Sequence, residues 1–150
     1  MKRLLTARLL AGIATGMCAS TGMCASTEMG VSAGTAPESG EAVVAAQFAA
    51  YNRHDLNGFV DAYSDDVTIY RIQRAAQSSI SGKAALREFY RNERFNRPGL
   101  RAQILHRTVF GNRIIDHERI FGLGSEPLEA MIVYAIEHQR IAAAWIFSPE

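Results

Sequence analysis

The chain has 150 residues, with 16 Lys or Arg against 15 Asp or Glu and 48% hydrophobic residues. That length holds one domain with a modest core, and this balance of apolar and charged residues excludes an intrinsically disordered chain. Basic residues are dispersed rather than striped, so the electrostatic footprint of a nucleic-acid-binding protein is missing.

Residues 1–36 read as a leader and residues 37–150 as the domain. Setting the leader aside removes Lys2, Arg3, Arg8 and Glu28, leaving 13 basic and 14 acidic groups. A basic start, the apolar run Leu9-Leu10-Ala11-Gly12-Ile13-Ala14 and small residues after it match a secretory signal, which implies a periplasmic or secreted protein. Arg8 shortens the apolar run, which is far too short to span a bilayer. Two other readings stay open: a start at Met17, Met23 or Met29, which implies a cytoplasmic protein, and an organelle presequence. Thr15-Gly16-Met17-Cys18-Ala19-Ser20 recurs at Thr21–Ser26, and Thr27–Ser32 resembles a degraded third copy. A six-residue period is far below the ~20–50 residues of a solenoid unit, so it reads as a duplicated spacer. Both cysteines, Cys18 and Cys24, lie in this leader. The domain therefore has no disulfide, thiol nucleophile or cysteine metal site.

The domain opens with Ser39, a helix cap, before a predicted helix over 41–53 with Glu41 in its first turn. Val44, Phe48 and Tyr51 follow at i, i+4 and i+7 and form one apolar face. Asp55 caps a second, short helix carrying Phe59, Val60 and Tyr63, and Asp65-Asp66 closes it. Val67–Ile72 is rich in β-branched and aromatic residues and reads as the first strand. A short strand near 78–81 precedes a third helix, which begins at Ser81 or Gly82 and carries Leu86, Phe89 and Tyr90. Pro98-Gly99 ends that segment.

The period then changes from helix to strand. Leu100–Phe110, Arg113–Leu123, Leu128–Glu137 and Arg140–Phe147 are extended runs. They are joined by Gly111-Asn112, by Gly124-Ser125-Glu126-Pro127 and by a tight His138-Gln139 turn. Helices followed by a meander mean an α+β fold.

Four stretches, in this order, resemble the SnoaL-like / nuclear transport factor 2-like superfamily, which includes ketosteroid isomerase and limonene epoxide hydrolase. They are Tyr51–Tyr70, Gly82–Tyr90, His106–Glu118 and Val133–Phe147. The resemblance implies a cone: three N-terminal helices packed in a curved mixed or antiparallel sheet, with a binding pocket at the mouth. It implies a small apolar or polycyclic ligand, no cofactor, and commonly a homodimer. Matched to ketosteroid isomerase, the tyrosine falls on Gln47, the catalytic base on Arg71 and the acidic donor on Val133. Matched to limonene epoxide hydrolase, the water-activating aspartate falls on Ile146. Neither catalytic set is present, so neither of those mechanisms is expected.

Asp116-His117-Glu118-Arg119 offers other chemistry. Alternation puts Asp116 and Glu118 on one face of a strand, about 7 Å apart, and His117 and Arg119 on the other. Facing an apolar cone, mutual repulsion and desolvation raise at least one carboxyl pKa, making a general acid or base. These two residues are the catalytic candidates. A one-residue bulge reverses the faces, and a purely structural role in cross-strand pairs with Arg107, Arg113 or His106 is the competing account. Tyr51, Tyr70, Arg71 and His106 are the substrate-binding candidates, against core packing for the tyrosines, a surface ion pair for Arg71 and a strand-edge position for His106. No histidine pair has metal-ligand spacing, so no metal is expected. Trp145 and Phe147 alternate with Ala144 and Ile146, so the last strand is apolar on both faces. A second subunit packed around Trp145 is the expected cover. The functional expectation is a SnoaL-like protein binding a small, largely apolar molecule, with acid–base chemistry by Asp116 or Glu118. The alternative is a non-catalytic binding or dimeric scaffold protein.

Overall fold

The computed structural model describes residues 39–73 and 76–149; the expected leader and its repeat lie outside the described residues. Helix α1 spans Gly40–Asn52, and Ala42 N–H donates to Ser39 Oγ at 3.2 Å, the expected cap. Val43, Val44, Gln47, Ala50 and Tyr51 form its buried face, with Phe48 half-buried beside them. At its end Asn52 behaves like a short piece of strand. Ala102 N–H donates to Asn52 Oδ1 at 2.7 Å, and Asn52 Nδ2 donates to the Ala102 carbonyl at 3.1 Å. His54, at φ 55°, donates from Nε2 to the Leu100 carbonyl at 2.7 Å. These bonds anchor the end of α1 to the start of strand β3.

Helix α2 spans Leu56–Asp61 with Asp55 as its cap, Gly58 N–H donating to Asp55 Oδ1 at 3.0 Å. It stops earlier than the sequence suggests. Tyr63, expected on the helix, opens strand β1 (Tyr63–Gln73), and Asp65 and Asp66 are exposed strand residues rather than a helix stop. The reason is non-local. Tyr63 pairs with Ile141 of β6 (Arg140–Phe147), and a register shift between Tyr63 and Thr68 accommodates the acidic pair within the ladder.

Strand β2 (Ala76–Ser81) folds back on β1, and Gly82, at φ 82°, turns the chain into α3 (Lys83–Glu93). Strands β3 (Arg101–Phe110), β4 (Arg113–Phe121), β5 (Leu128–Glu137) and β6 complete the sheet, in the order β2-β1-β6-β5-β4-β3. The β1–β6 pair is parallel and the other pairs are antiparallel, giving a mixed, open sheet in an α+β fold. The β3–β4 hairpin turns at Gly111, φ 58°, without a positive φ at Asn112. The β5–β6 hairpin needs positive φ at both His138 (48°) and Gln139 (59°), the signature of a type I′ turn.

Further register shifts lie between Ile104 and His106 and between Ala135 and Ile136. Bulges bend strands, and the concave face packs on the helices through Phe59, Val60, Val67, Ile69, Leu86 and Ile141. Phe59 sits among aromatic rings, with the Tyr90 centroid at 4.2 Å and Tyr63 at 5.2 Å. Among the described residues no helix is long and apolar enough to cross a membrane.

Candidate functional site

The sheet register decides what faces the helices. Across the concave side one row reads Ile69, Ala144, Tyr134, Ile114, and the next reads Arg71, Ile146, Ile132, Asp116, Arg107. Between these rows, α1 and the end of α3 lies a cavity of about 100 Å³. Its buried part is lined by Gln47, Tyr51, Tyr63, Tyr90, Glu118 and Tyr134. Ile120, Leu123, Leu128 and Ile146 are the half-buried apolar part of the lining; Arg71, Arg94 and Ser148, equally half-buried, and the exposed Gln73 are its polar part.

Strand β4 keeps its alternation, so Ile114, Asp116 and Glu118 all point inward and His117 and Arg119 outward. The bulge is in β3 instead. Leu105 is the extra residue between Ile104 and His106, so His106 pairs with His117 on the outer side while Arg107 swings inward opposite Asp116. Arg107 Nε and Nη2 donate to Asp116 Oδ1 and Oδ2, both at 2.7 Å. Asp116 is fully buried, and this bidentate pair satisfies it.

Glu118 faces Ile104 and Ala130 across the ladder and gains no cation. It is 4% exposed, and its carboxyl is pushed up to about 8, first by burial and second by the Asp116 charge. Arg107 and a long contact from Tyr134, Oη to Oε1 at 3.5 Å, oppose that rise only in part. Burial holds the Tyr63 and Tyr134 phenols well above their usual range and Tyr90 at about 12. All three are therefore O–H donors at neutral pH. Gln47 Nε2 donates to Tyr63 Oη at 3.1 Å, while Gln47 Oε1 has no partner.

The sequence candidates separate in space. Glu118, Tyr51 and Arg71 line the cavity; Asp116 is buried beside it in the Arg107 pair. Tyr70 is on the opposite face of the sheet, stacked on Trp145 with centroids 5.7 Å apart and planes 12° apart. His106 is exposed outside the cavity, a consequence of the Leu105 bulge. Val133, matched above to an acidic donor, also faces outward, and its neighbours Ile132 and Tyr134 face in. A register shift lies between Ala135 and Ile136 on the same strand. Sequence reading overlooked Tyr63, Arg94 and Tyr134. Alternation through Ile132 and Tyr134 was the available signal for one of them; Tyr63 was hidden by its helical spacing, and Arg94 follows the end of α3. Among the described residues no three His, Cys, Asp or Glu side chains converge where a metal could sit.

In fold the chain is similar, over about three quarters of its length, to several solved structures. A protein from Kribbella flavida, provisionally assigned as a ketosteroid isomerase, is 18% identical over 74% of this chain and 78% of its own, with TM-score 0.63. A provisionally assigned polyketide cyclase from Sinorhizobium meliloti is 19% identical over 69% of this chain and 92% of its own, with TM-score 0.59. An NTF2-like protein of unknown function from Mesorhizobium loti is 14% identical over 73% and 89%, with TM-score 0.65. At such identities these likenesses speak for the fold alone. No curated protein matches the chain in sequence. Residues 44–144 match the SnoaL-like domain, and with that match over most of its length the chain belongs to the SnoaL-like domain family.

Proposed function

We propose that the cavity binds a small, largely apolar carbonyl compound and that Glu118 exchanges a proton with it. The observation that carries this reading is a carboxyl group in the cavity wall, buried and without a cationic partner, whose pKa is pushed up to about 8. At pH 7 such a group is about ten parts acid to one part carboxylate. The acid form donates a hydrogen bond to a ligand carbonyl oxygen. The carboxylate form removes a proton from the carbon beside the carbonyl, the electron pair moves onto oxygen as an enolate, and the new carboxylic acid returns the proton. The protonated phenols of Tyr51 and Tyr90 supply donors for that oxygen within the same cavity. Asp116 takes a positioning role: locked by Arg107, it contributes charge behind Glu118.

One observation favours a second reading, non-catalytic binding. Gln47 and Arg71, the positions that sequence matching gives to the ketosteroid isomerase tyrosine and base, line the cavity without either group, and Asp116 is consumed by Arg107. Proton exchange separates the two. In D₂O, 2-tetralone incubated with the protein should lose its α-proton NMR signals faster than in buffer, and Glu118→Gln should abolish the acceleration. Stabilisation by 2-tetralone without any exchange in either protein leaves binding and removes catalysis.

A second copy of the chain is the proposed cover for the outer sheet face. That face carries Tyr70 stacked on Trp145, with Met131 and Phe147 beside them, 50% and 40% exposed. An apolar strip of this kind on a sheet is the raw material of an isologous dimer.

A further inference from the structure

Within the cavity, Arg71 and Arg94 sit apart from the acid–base group, and no step above uses them. Arg71 projects from β1 and Arg94 closes α3, so two different elements bring half-buried guanidinium side chains to one cavity. Both guanidinium groups lie over the ring of Phe89, the Arg71 carbon 5.5 Å and the Arg94 carbon 5.2 Å from its centroid. Stacking on an aromatic face positions a guanidinium while leaving its in-plane N–H donors available. The ion pairs among the described residues use other cations, namely Arg53, Lys83, Arg107, His117 and Arg119. Both positive fields reach into the cavity, since Arg94 and Arg71 each pull the Tyr90 phenol downward against its burial. Asp116 is held by Arg107 outside the cavity lining, and the carboxyl inside it, Glu118, is mostly protonated at neutral pH, its carboxyl pushed up to about 8 by burial and the Asp116 charge.

We propose that Arg71 and Arg94 form a carboxylate site in the cavity, so that the ligand is a keto acid or similar amphipathic organic anion, its anionic end on the two arginines and its carbonyl toward Glu118. This rests on the reading of the cavity as a ligand site. The sheet sets the scale. Arg71 and Glu118 stand on strands three spacings apart, about 14 Å across the sheet, and one side-chain row apart along it. Planar, two-pronged guanidinium donors match a carboxylate better than a neutral amide, so charge selectivity is the expected signature.

The test uses a matched pair, 4-acetylbenzoate and its neutral isostere 4-acetylbenzamide, with 2-tetralone as an uncharged control for the cavity. Dissociation constants are measured by calorimetry for the full chain and for Arg71→Gln and Arg94→Gln, with circular dichroism as the check on folding. Arg94 follows the helix and is only half-buried, so its variant tests the site even if Arg71→Gln fails to fold. The benzoate is expected to bind at least tenfold more tightly than the amide. That preference should fall below threefold in either variant and shrink as salt is raised. Equal binding of the two probes to the parent, or a preference unchanged in the folded variants, overturns the carboxylate site. If 2-tetralone binds while neither acetyl compound does, the carboxylate site falls and the ligand-site reading stands. If none of the three binds, both fall.

Discussion

Asp116 and Glu118 stand two residues apart on one face of β4 and meet opposite electrostatic fates. Asp116 faces Arg107 across the ladder and is held by two 2.7 Å hydrogen bonds. Glu118 faces Ile104 and Ala130, has no cation to itself, and is pushed up to about 8. A single bulged residue, Leu105, sets this difference by turning Arg107 inward at one carboxylate and leaving an isoleucine opposite the other. Paired carboxylates with divided roles are the usual basis of acid–base assignments, and here the division comes from the neighbouring strand.

Glu118 makes stability depend on pH in a stated direction. Its carboxyl ionises near 4.5 when the chain is unfolded and near 8 when folded, so between those values the folded state binds the extra proton. Its contribution is complete below pH 4.5 and is lost as pH rises through 8, with a slope of at most about 1.4 kcal/mol per unit. The parent melting temperature should fall from pH 5 to 8 and that of Glu118→Gln should fall much less. Parallel profiles would exclude a strongly raised carboxyl.

Arg107→Met leaves Asp116 charged and fully buried without its partner, which costs about 3–5 kcal/mol. Adding Asp116→Leu should recover much of that loss, because an apolar pair replaces a stranded charge. Denaturant titration of both singles and the double gives the coupling. Additive effects would mean that the pair carries no interaction.

Asp116→Asn removes the like charge behind Glu118, so the Glu118 titration midpoint should move down from about 8. Carboxyl-carbon NMR of the parent and variant reads this directly. An unmoved midpoint would assign the whole rise to desolvation.

Gly122 lies at φ 82°, and a Cβ there would meet the Gly99 carbonyl carbon, Gly99 O at 2.5 Å and Leu100 N at 2.6 Å. Those are backbone atoms that cannot swing aside. Gly122→Ala should therefore cost several kcal/mol by combining αL strain with a steric clash, and should loosen the cavity wall at Leu123. Gln139→Gly should act in the opposite direction. It relieves a non-glycine residue at φ 59° in a type I′ turn and should add about 1 kcal/mol. Chemical denaturation of the two variants should move their midpoints to opposite sides of the parent.

The outer face predicts the state of association. Met131→Lys together with Phe147→Lys should convert a dimer to a monomer in sedimentation experiments while far-UV circular dichroism stays unchanged, because both side chains are already half-exposed. A parent that sediments as a monomer at all concentrations removes the dimer.

Much of this architecture is legible in the chain because its determinants are local. Ser39 and Asp55 cap the helices they precede, Gly82 supplies the positive φ before α3, and alternating apolar residues mark β3 to β6 within one or two residues of their bounds. Side-chain alternation likewise puts Asp116 and Glu118 on one face of β4, and the fold turns that face inward. What the chain cannot express locally is pairing between distant strands. Tyr63 keeps helical spacing with Phe59 but is drawn into β1 by its partner Ile141, more than seventy residues later. The Leu105 bulge turns His106 out and Arg107 in, and nothing in the hydrophobic pattern of β3 announces it. Tyr70, one residue from cavity-lining Arg71, goes to the opposite face because pleating leaves it no other choice once the register is set. Element type and helix caps follow from contacts a few residues apart. The charge state of Glu118 and the meeting of Arg71 with Arg94 over Phe89 arise only when the sheet closes on the helices, since each depends on which group the tertiary fold leaves without, or supplies with, a neighbour.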